Sequence, residues 1–325
     1  VKLSANWMAN CGTPQDDGDL FIAVQAASEL CIALGVSIPV GKDSLSMRTR
    51  WRAGEGEGST AVEVGAPVSL VVTAHAPVAD VREALTPELA PRTDSCLVLV
   101  DLAAGRRRLG ASALAQVMRR EGDPPPDLDD PAALAALFRA VREARSEGLL
   151  LACHDRSDGG LFATVCEMAF AGHCGVSINV DMLTIDPHAS DWGDFKIRPE
   201  QVAAQRAELV LRALFTEEPG LVLQVSRPDR DRLFALLRRH GLAANAHVIG
   251  APNERDVVEV MSDARRVFGM ERALLHAAWS ETSQRIARLR DDPACVDEAD
   301  ALIAAPAGDP APLSVALSFD PDATP

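Results

Sequence analysis

Apolar residues recur along this chain in two rhythms, short continuous runs and stripes spaced three or four apart, and the two rhythms alternate. Residues 1–12 read as a short strand entering a polar loop. A helix starting at Asp16 to Asp19 carries Leu20, Val24, Ala27, Cys31 and Leu34 on one stripe, with Gly35 at its C-cap. Ile38-Pro39-Val40 is a short strand that gives way to a polar turn over 41–47. Residues 52–59 read as a Gly/Glu hairpin or loop, and 68–74 as a strand. Further along, 96–102 is a buried strand, 110–118 the start of a helix with small residues, and Pro124 to Pro126 a loop. Residues 132–147 form an amphipathic helix and 149–152 a buried strand. Phe162, Val165, Met168 and Ala169 keep helical spacing. Then come a strand at 176–180, a polar insertion at 184–199, a strand at 221–225, a helix at 227–240, a last strand at 247–250 and a helix at 274–289. Alternation of this kind predicts an α/β fold. The division falls between Thr86 and Asp94, and roughly the first 85 residues read as part of an α/β domain. No internal repeat is evident.

Composition narrows the function classes. The chain has 325 residues, 47% of them hydrophobic, which is enough for two ordinary cores. A formal charge of −15 argues against nucleic acid and anionic membrane as partners. It does not disfavour nucleotides, which bind through local N–H groups and metals. The seven cysteines are scattered and include no CxxC pair, so reduced packing thiols in a cytoplasmic protein are expected, without zinc. Cys11, in a polar loop, is the one candidate for a reactive thiol. No apolar stretch approaches membrane-spanning length and no signal peptide is visible. The start at Val1 and the Ala/Pro/Asp-rich stretch 304–325 suggest a piece of a longer polypeptide that ends in a linker.

Chemistry concentrates in Cys153-His154-Asp155-Arg156-Ser157-Asp158-Gly159-Gly160-Leu161, between the 149–152 strand and the helix that follows. Such a strand-to-helix turn can present a carboxylate and backbone N–H groups to a phosphate and its metal. On that reading Asp155 holds magnesium, and Ser157 with the Gly159 and Gly160 amides faces phosphate oxygens. An equally good reading is a solvated turn whose Asp or Ser caps the helix. Gly41-Lys42-Asp43-Ser44, followed by Ser46, offers a cation, a carboxylate and hydroxyls, and taken alone it fits an exposed turn better. It is not a Walker A loop, since the upstream glycine is missing. Asn6, in Leu3-Ser4-Ala5-Asn6-Trp7-Met8, is a candidate nucleotide or substrate contact, or a turn residue satisfying backbone. Arg48, Arg50 and Arg52 alternate along a possible strand that faces a phosphate or, more simply, solvent. His154, His173, His240 and His276 complete no nucleophilic triad.

Six segments together carry a family resemblance: LSANWM (3–8), IPVGKDSLSM (38–47), GASALAQVM (110–118), CHDRSDGGL (153–161), EMAFAGHCGVS (167–177) and WSETSQRIARLRDDPAC (279–295). In this order they resemble the large single-chain phosphoribosylformylglycinamidine synthases, specifically the second half of the synthetase region. The resemblance implies an AIR-synthetase-like (PurM-like) half. It would comprise a partial N-terminal α/β domain at 1–88, a C-terminal α/β domain at 89–255, a helical extension at 256–303 and a linker at 304–325 toward a glutaminase domain. The family converts formylglycinamide ribonucleotide, ATP and ammonia from glutamine into formylglycinamidine ribonucleotide. Its cofactors are Mg2+ and ATP/ADP, and its partners in cis are the other synthetase half and the glutaminase.

By motif position, the resemblance assigns Asp155 to magnesium and Ser157 to nucleotide at an auxiliary ADP site, with two further ligands upstream of Val1. It assigns Gly41 and Asn6 to nucleotide, Asp43 to metal, and Ser44 or Ser46 to substrate. Asp43 stands where shorter relatives carry Asn. Glu217-Glu218-Pro219-Gly220 matches a family segment with Leu at the Pro219 position, and the expected role is closing a turn before the 221–225 strand. No catalytic residue is assigned within the chain, which is expected to be inactive alone. The alternatives are a non-catalytic half that holds ADP and magnesium, and a stand-alone AIR-synthetase-like enzyme. A half deprived of its pseudo-symmetric partner would also expose apolar surface and self-associate.

Overall fold

The computed structural model describes residues 1–54, 60–78, 80–184, 199–305 and 316–319. These form two compact units, Val1–Ala84 with Asp130–Ala136, and Leu85–Asp129 with Leu137–Pro325.

In the first unit, β1 (Lys2–Met8), α1 (Pro14–Leu34) and β2 (Ser37–Ser44) make a β-α-β crossover with the two strands as parallel neighbours. β3 (Arg48–Ala53) and β4 (Thr60–Gly65) pair as a separate hairpin. β5 (Ser69–His75) runs antiparallel to β1, giving the order β2-β1-β5. α1 begins where Thr13 accepts the Asp16 N–H at 3.1 Å with Pro14 at the first position, and ends on Gly35 at φ 67°. Leu20, Ala23, Ala27, Cys31 and Leu34 form its half-buried stripe. Val24, expected there, lies off the stripe and is 43% exposed.

The second unit holds β6 (Ser95–Asp101), α2 (Ala113–Val117), β7 (Leu150–Asp155), α4 (Gly160–Gly172) and β8 (Gly175–Asn179), while α3 (Pro131–Ser146) straddles the division. α5 (Pro199–Phe215), β9 (Gly220–Ser226), α6 (Arg230–Arg239) and β10 (Ala246–Asn253) follow. Next come β11 (Val257–Ser262), β12 (Arg265–Glu271), α7 (Arg272–Arg290) and α8 (Pro293–Ala301). The seven-stranded sheet has the order β12-β11-β8-β10-β6-β9-β7, antiparallel except between β8 and β11. The architecture is the expected mixed α/β.

Two expectations are corrected here. Residues 247–250 are not the last strand, because β11 and β12 extend the sheet through the start of the segment expected to be a helical extension. The β11 run is short and apolar, a pattern that does not separate strand from helix. α5 was not predicted: it follows the insertion at 184–199, of which 185–198 lie outside the described residues. The 55–59 loop and most of the expected 304–325 linker lie outside them too.

The core lies between the sheet and α4. β6 is buried throughout, and Leu97 and Leu99 meet Leu161, Val165 and Met168 of α4 in one cluster with Val176, Ile178, Val222 and Ile249. Each fully buried aliphatic side chain stabilises the fold by about 1.5–3 kcal/mol. α4 is buried along most of its length because α5 and α7 pack on it as well. This fixes the N-terminal end of α4, where the candidate turn sits.

Candidate functional site

β7 ends on Asp155 and α4 begins at Gly160, so the acidic and glycine-rich segment is the connection between two buried elements. The Asp155 side chain is 68% exposed. One of its oxygens lies 3.1 Å from His154 Nδ1, and the other makes no hydrogen bond or ion pair among the described residues. His154 Nε2 is 3.0 Å from Glu167, whose second oxygen accepts the Trp279 indole N–H at 3.2 Å. A polar chain thus runs from the turn across α4 to α7. The Thr164 hydroxyl shares its proton between the Gly160 carbonyl at 3.0 Å and the Asp155 carbonyl at 3.2 Å.

Arg156, next in sequence, turns inward and is 5% exposed. Its guanidinium donates to Asp101 at 2.7 Å and to the Glu218 carbonyl at 2.6 Å, while its N–H donates to the Gly220 carbonyl at 2.9 Å. The turn is thereby pinned to the ends of β6 and β9 by a buried, fully paired charge. Glu218 is fully buried and accepts Arg108 through Nε at 2.6 Å and Nη2 at 2.8 Å. Hydrogen bonding to Glu218 raises the Arg108 pKa above its ordinary value.

Neither sequence reading of the turn survives unchanged. The amides expected to face phosphate are engaged within the protein. The Gly159 N–H donates to Glu217 Oε1 at 2.8 Å, and the Gly160 N–H to the Ser157 carbonyl at 2.9 Å. No local Asp or Ser caps α4 either, for its N-cap is Gly159 at φ 82°. Glu217, 58 residues away, supplies the acceptor and also takes the Ala113 N–H at 2.8 Å. Gly160 is required where it stands. At φ 68° a Cβ would meet the Thr216 carbonyl oxygen at 2.6 Å. Asp155 is exposed and Ser157, two residues on, is half-buried.

In the first unit, Gly41, Lys42, Asp43 and Ser44 are strand residues of β2, a correction to the expected turn. Alternation therefore splits them. β1 register pairs Ala5 with Gly41, Asn6 with Lys42, Trp7 with Asp43 and Met8 with Ser44. Asn6, Lys42 and Ser44 share one face; Gly41 and Asp43 share the other. Lys42 Nζ donates to the Ser44 hydroxyl. Among the described residues the Asn6 Oδ1 is buried without a hydrogen-bond partner, as is the Asn10 Oδ1, so either could accept from a ligand or water. Ser46 bridges to Asn10 past the strand end. Arg48 and Arg50 pair with Glu63 across the hairpin, as a solvated strand face would.

Among the described residues, no group of three or more His, Cys, Asp or Glu side chains is placed to hold a metal ion. Magnesium commonly takes one or two carboxylates and completes its shell with water and substrate phosphates. The exposed Asp155 carboxylate, with one oxygen unengaged among the described residues, fits that role, and so does the exposed Asp43. The thiols do not suggest redox chemistry. Burial and the neighbouring Asp155 push Cys153 up to about 11, and burial with Glu167 pushes Cys166 up to about 12. Desolvation, then Asp17, raises Cys11 as well, against a reactive thiolate there. No helix among the described residues is long and apolar enough to cross a membrane.

Comparison with known proteins separates the two regions. The family model for the AIR synthase related protein C-terminal domain matches residues 93–263, more than half of the chain. The chain belongs to the AIR synthase related family. Residues 1–77 match the FGAR-AT PurM_N-like domain, so this family member is PurM-like and FGAR-amidotransferase-related. The fold is also similar to T. maritima PurL complexed with ATP, at 17% identity and TM-score 0.53, over 85% of this chain and 37% of that one. T. maritima PurL complexed with FGAR gives 18% identity and TM-score 0.52 over 84% and 39%. E. coli HypE, a hydrogenase maturation protein, gives 19% identity and TM-score 0.50 over 82% and 72%. The chain thus spans under two-fifths of the PurL chains.

Proposed function

We propose that the chain is a synthetase half of formylglycinamide ribonucleotide amidotransferase, an ATP-dependent carbon–nitrogen ligase of purine biosynthesis with glutamine as amide donor. The observation that carries this reading is the FGAR-AT match over 1–77 joined to an AIR-synthase C-terminal domain whose β7–α4 turn carries an exposed Asp155 and a half-buried Ser157. In this reading Asp155 ligates magnesium and Ser157 contacts the nucleotide. Magnesium would supply charge neutralisation at the nucleotide phosphates. Arg156 and Glu218 hold the turn and Thr164 fixes the Asp155 backbone. Asn6 and Gly41 contact nucleotide, Ser44 and Ser46 substrate, and Asp43 metal. Asp43 and Ser44 serve different faces of β2. In this reading turnover also needs the other synthetase half and the glutaminase, so residues 1–325 alone are expected to be inactive.

A second reading, a stand-alone AIR-synthetase-like enzyme, is favoured by the extent of the HypE match, 72% of that chain. ATP turnover by the isolated chain would select it. The test of the first reading is calorimetric titration of ADP with and without magnesium into the wild type and Asp155→Ala. Magnesium-dependent binding lost in the variant supports it, and equal binding by both proteins overturns the Asp155 assignment.

A further inference from the structure

The N-terminal end of a helix is an electropositive seat for an anion, and a strand-to-helix glycine turn is where an external phosphate usually takes it. In this molecule the α4 seat carries an internal carboxylate. Glu217 Oε1 accepts the Gly159 N–H and the Ala113 N–H, both at 2.8 Å, so one oxygen joins the heads of α4 and α2. Its neighbours leave it little freedom. Thr216 is buried, with its hydroxyl bonded to the Arg108 carbonyl at 2.9 Å, and Glu218 is buried on Arg108. The chain passes so close to Gly160 that a single added carbon would collide with the Thr216 oxygen.

We propose that Glu217 is a positioning residue that acts as the built-in anion of this turn. Its carboxylate occupies the seat at the head of α4, so a phosphate-bearing ligand meets the turn through Asp155, Ser157 and a divalent cation, not through the Gly159 amide. The proposal deepens the functional reading above and rests on it for the identity of the ligand. Two negative groups, Glu217 and Asp155, then flank the place a phosphate must approach. Binding there depends on the cation more steeply than in a turn with open amides.

The test follows the Gly159 amide by NMR during titration with inorganic phosphate, without metal, in wild type, Glu217→Gln and Glu217→Ala. In wild type the signal stays put. In Glu217→Ala it moves, with phosphate affinity at least tenfold higher than wild type. Glu217→Gln keeps an acceptor oxygen for both amides and drops the charge; it gives a smaller shift in the same direction and stands in if the alanine variant fails to fold. A wild-type signal that already follows phosphate, or folded variants that take up none, overturns the proposal. Magnesium–ADP titration of the same proteins separates the two levels. A wild type that binds no magnesium–ADP while the variants gain phosphate defeats the functional reading and keeps the role of Glu217. Loss of magnesium dependence in Glu217→Gln, with ADP still bound, supports both.

Discussion

At the scale of single residues, the turn after β7 works by dividing labour between neighbours. Asp155 points outward and Arg156 inward, one residue apart. Replacing Arg156 with Met leaves the Asp101 carboxylate partly buried and unpaired and frees the Glu218 carbonyl, so unfolding in urea should show a loss of about 3–5 kcal/mol. Asp155→Ala, at an exposed side chain, should leave that unfolding curve within about 0.5 kcal/mol of wild type. The buried thiols give a pH-dependent check. With Cys153 and Cys174 near 11 and Cys166 near 12, only about one thiol in a thousand or fewer is thiolate at pH 8. The shift is upward, so reactivity appears only as pH rises toward those values. A thiol reagent at pH 8 should therefore label these three in denatured protein and not in folded protein.

At the scale of elements, the glycine pair shows how much of the site a sequence can disclose. Gly160→Ala should cost about 2–4 kcal/mol, combining positive φ with overlap against the Thr216 carbonyl, readable from the urea midpoint. Gly35→Ala, at a similar φ but with open space around it, should cost only about 1 kcal/mol. Strands such as β6 and β9 were legible as short continuous apolar runs, because a strand covered on both faces is apolar at nearly every position, and helices such as α1 and α4 by their apolar residues three or four apart. The existence of a special turn at 153–161 was legible for the same reason, as polar residues between two apolar elements. Its internal wiring was not. Glu217 caps α4 from 58 residues away, and Arg108 reaches Glu218 across 110. Local pattern carries no trace of such pairings. The one signal was two adjacent acidic residues just before a buried strand, where a carboxylate persists only if it is paired. The β2 segment failed differently: its polar residues looked like a turn, and β1 pairing made it a strand.

At the scale of the whole molecule, the first unit leaves apolar residues bare. Phe21 is 69% exposed, Ile22 64% and Ile32 77% on α1, and Val71 54% on β5. Exposed apolar groups gathered in one small unit favour association. The isolated chain should accordingly show a concentration-dependent mass in light scattering, and Phe21→Ser with Ile32→Ser should shift it toward monomer. A clean monomer at high concentration would remove the self-association proposal. It would leave the nucleotide proposal for the β7–α4 turn untouched, since the Arg156 and Gly159 hydrogen bonds that hold that turn lie within the second unit.

The central claim is that this family member carries a nucleotide and its cation on the β7–α4 turn. The most direct measurement substitutes manganese for magnesium and reads which backbone amide signals its complex with ADP broadens. Broadening centred on Arg156 to Gly160, and abolished in Asp155→Ala, is the predicted result. Broadening centred elsewhere, or unchanged in the variant, would contradict it.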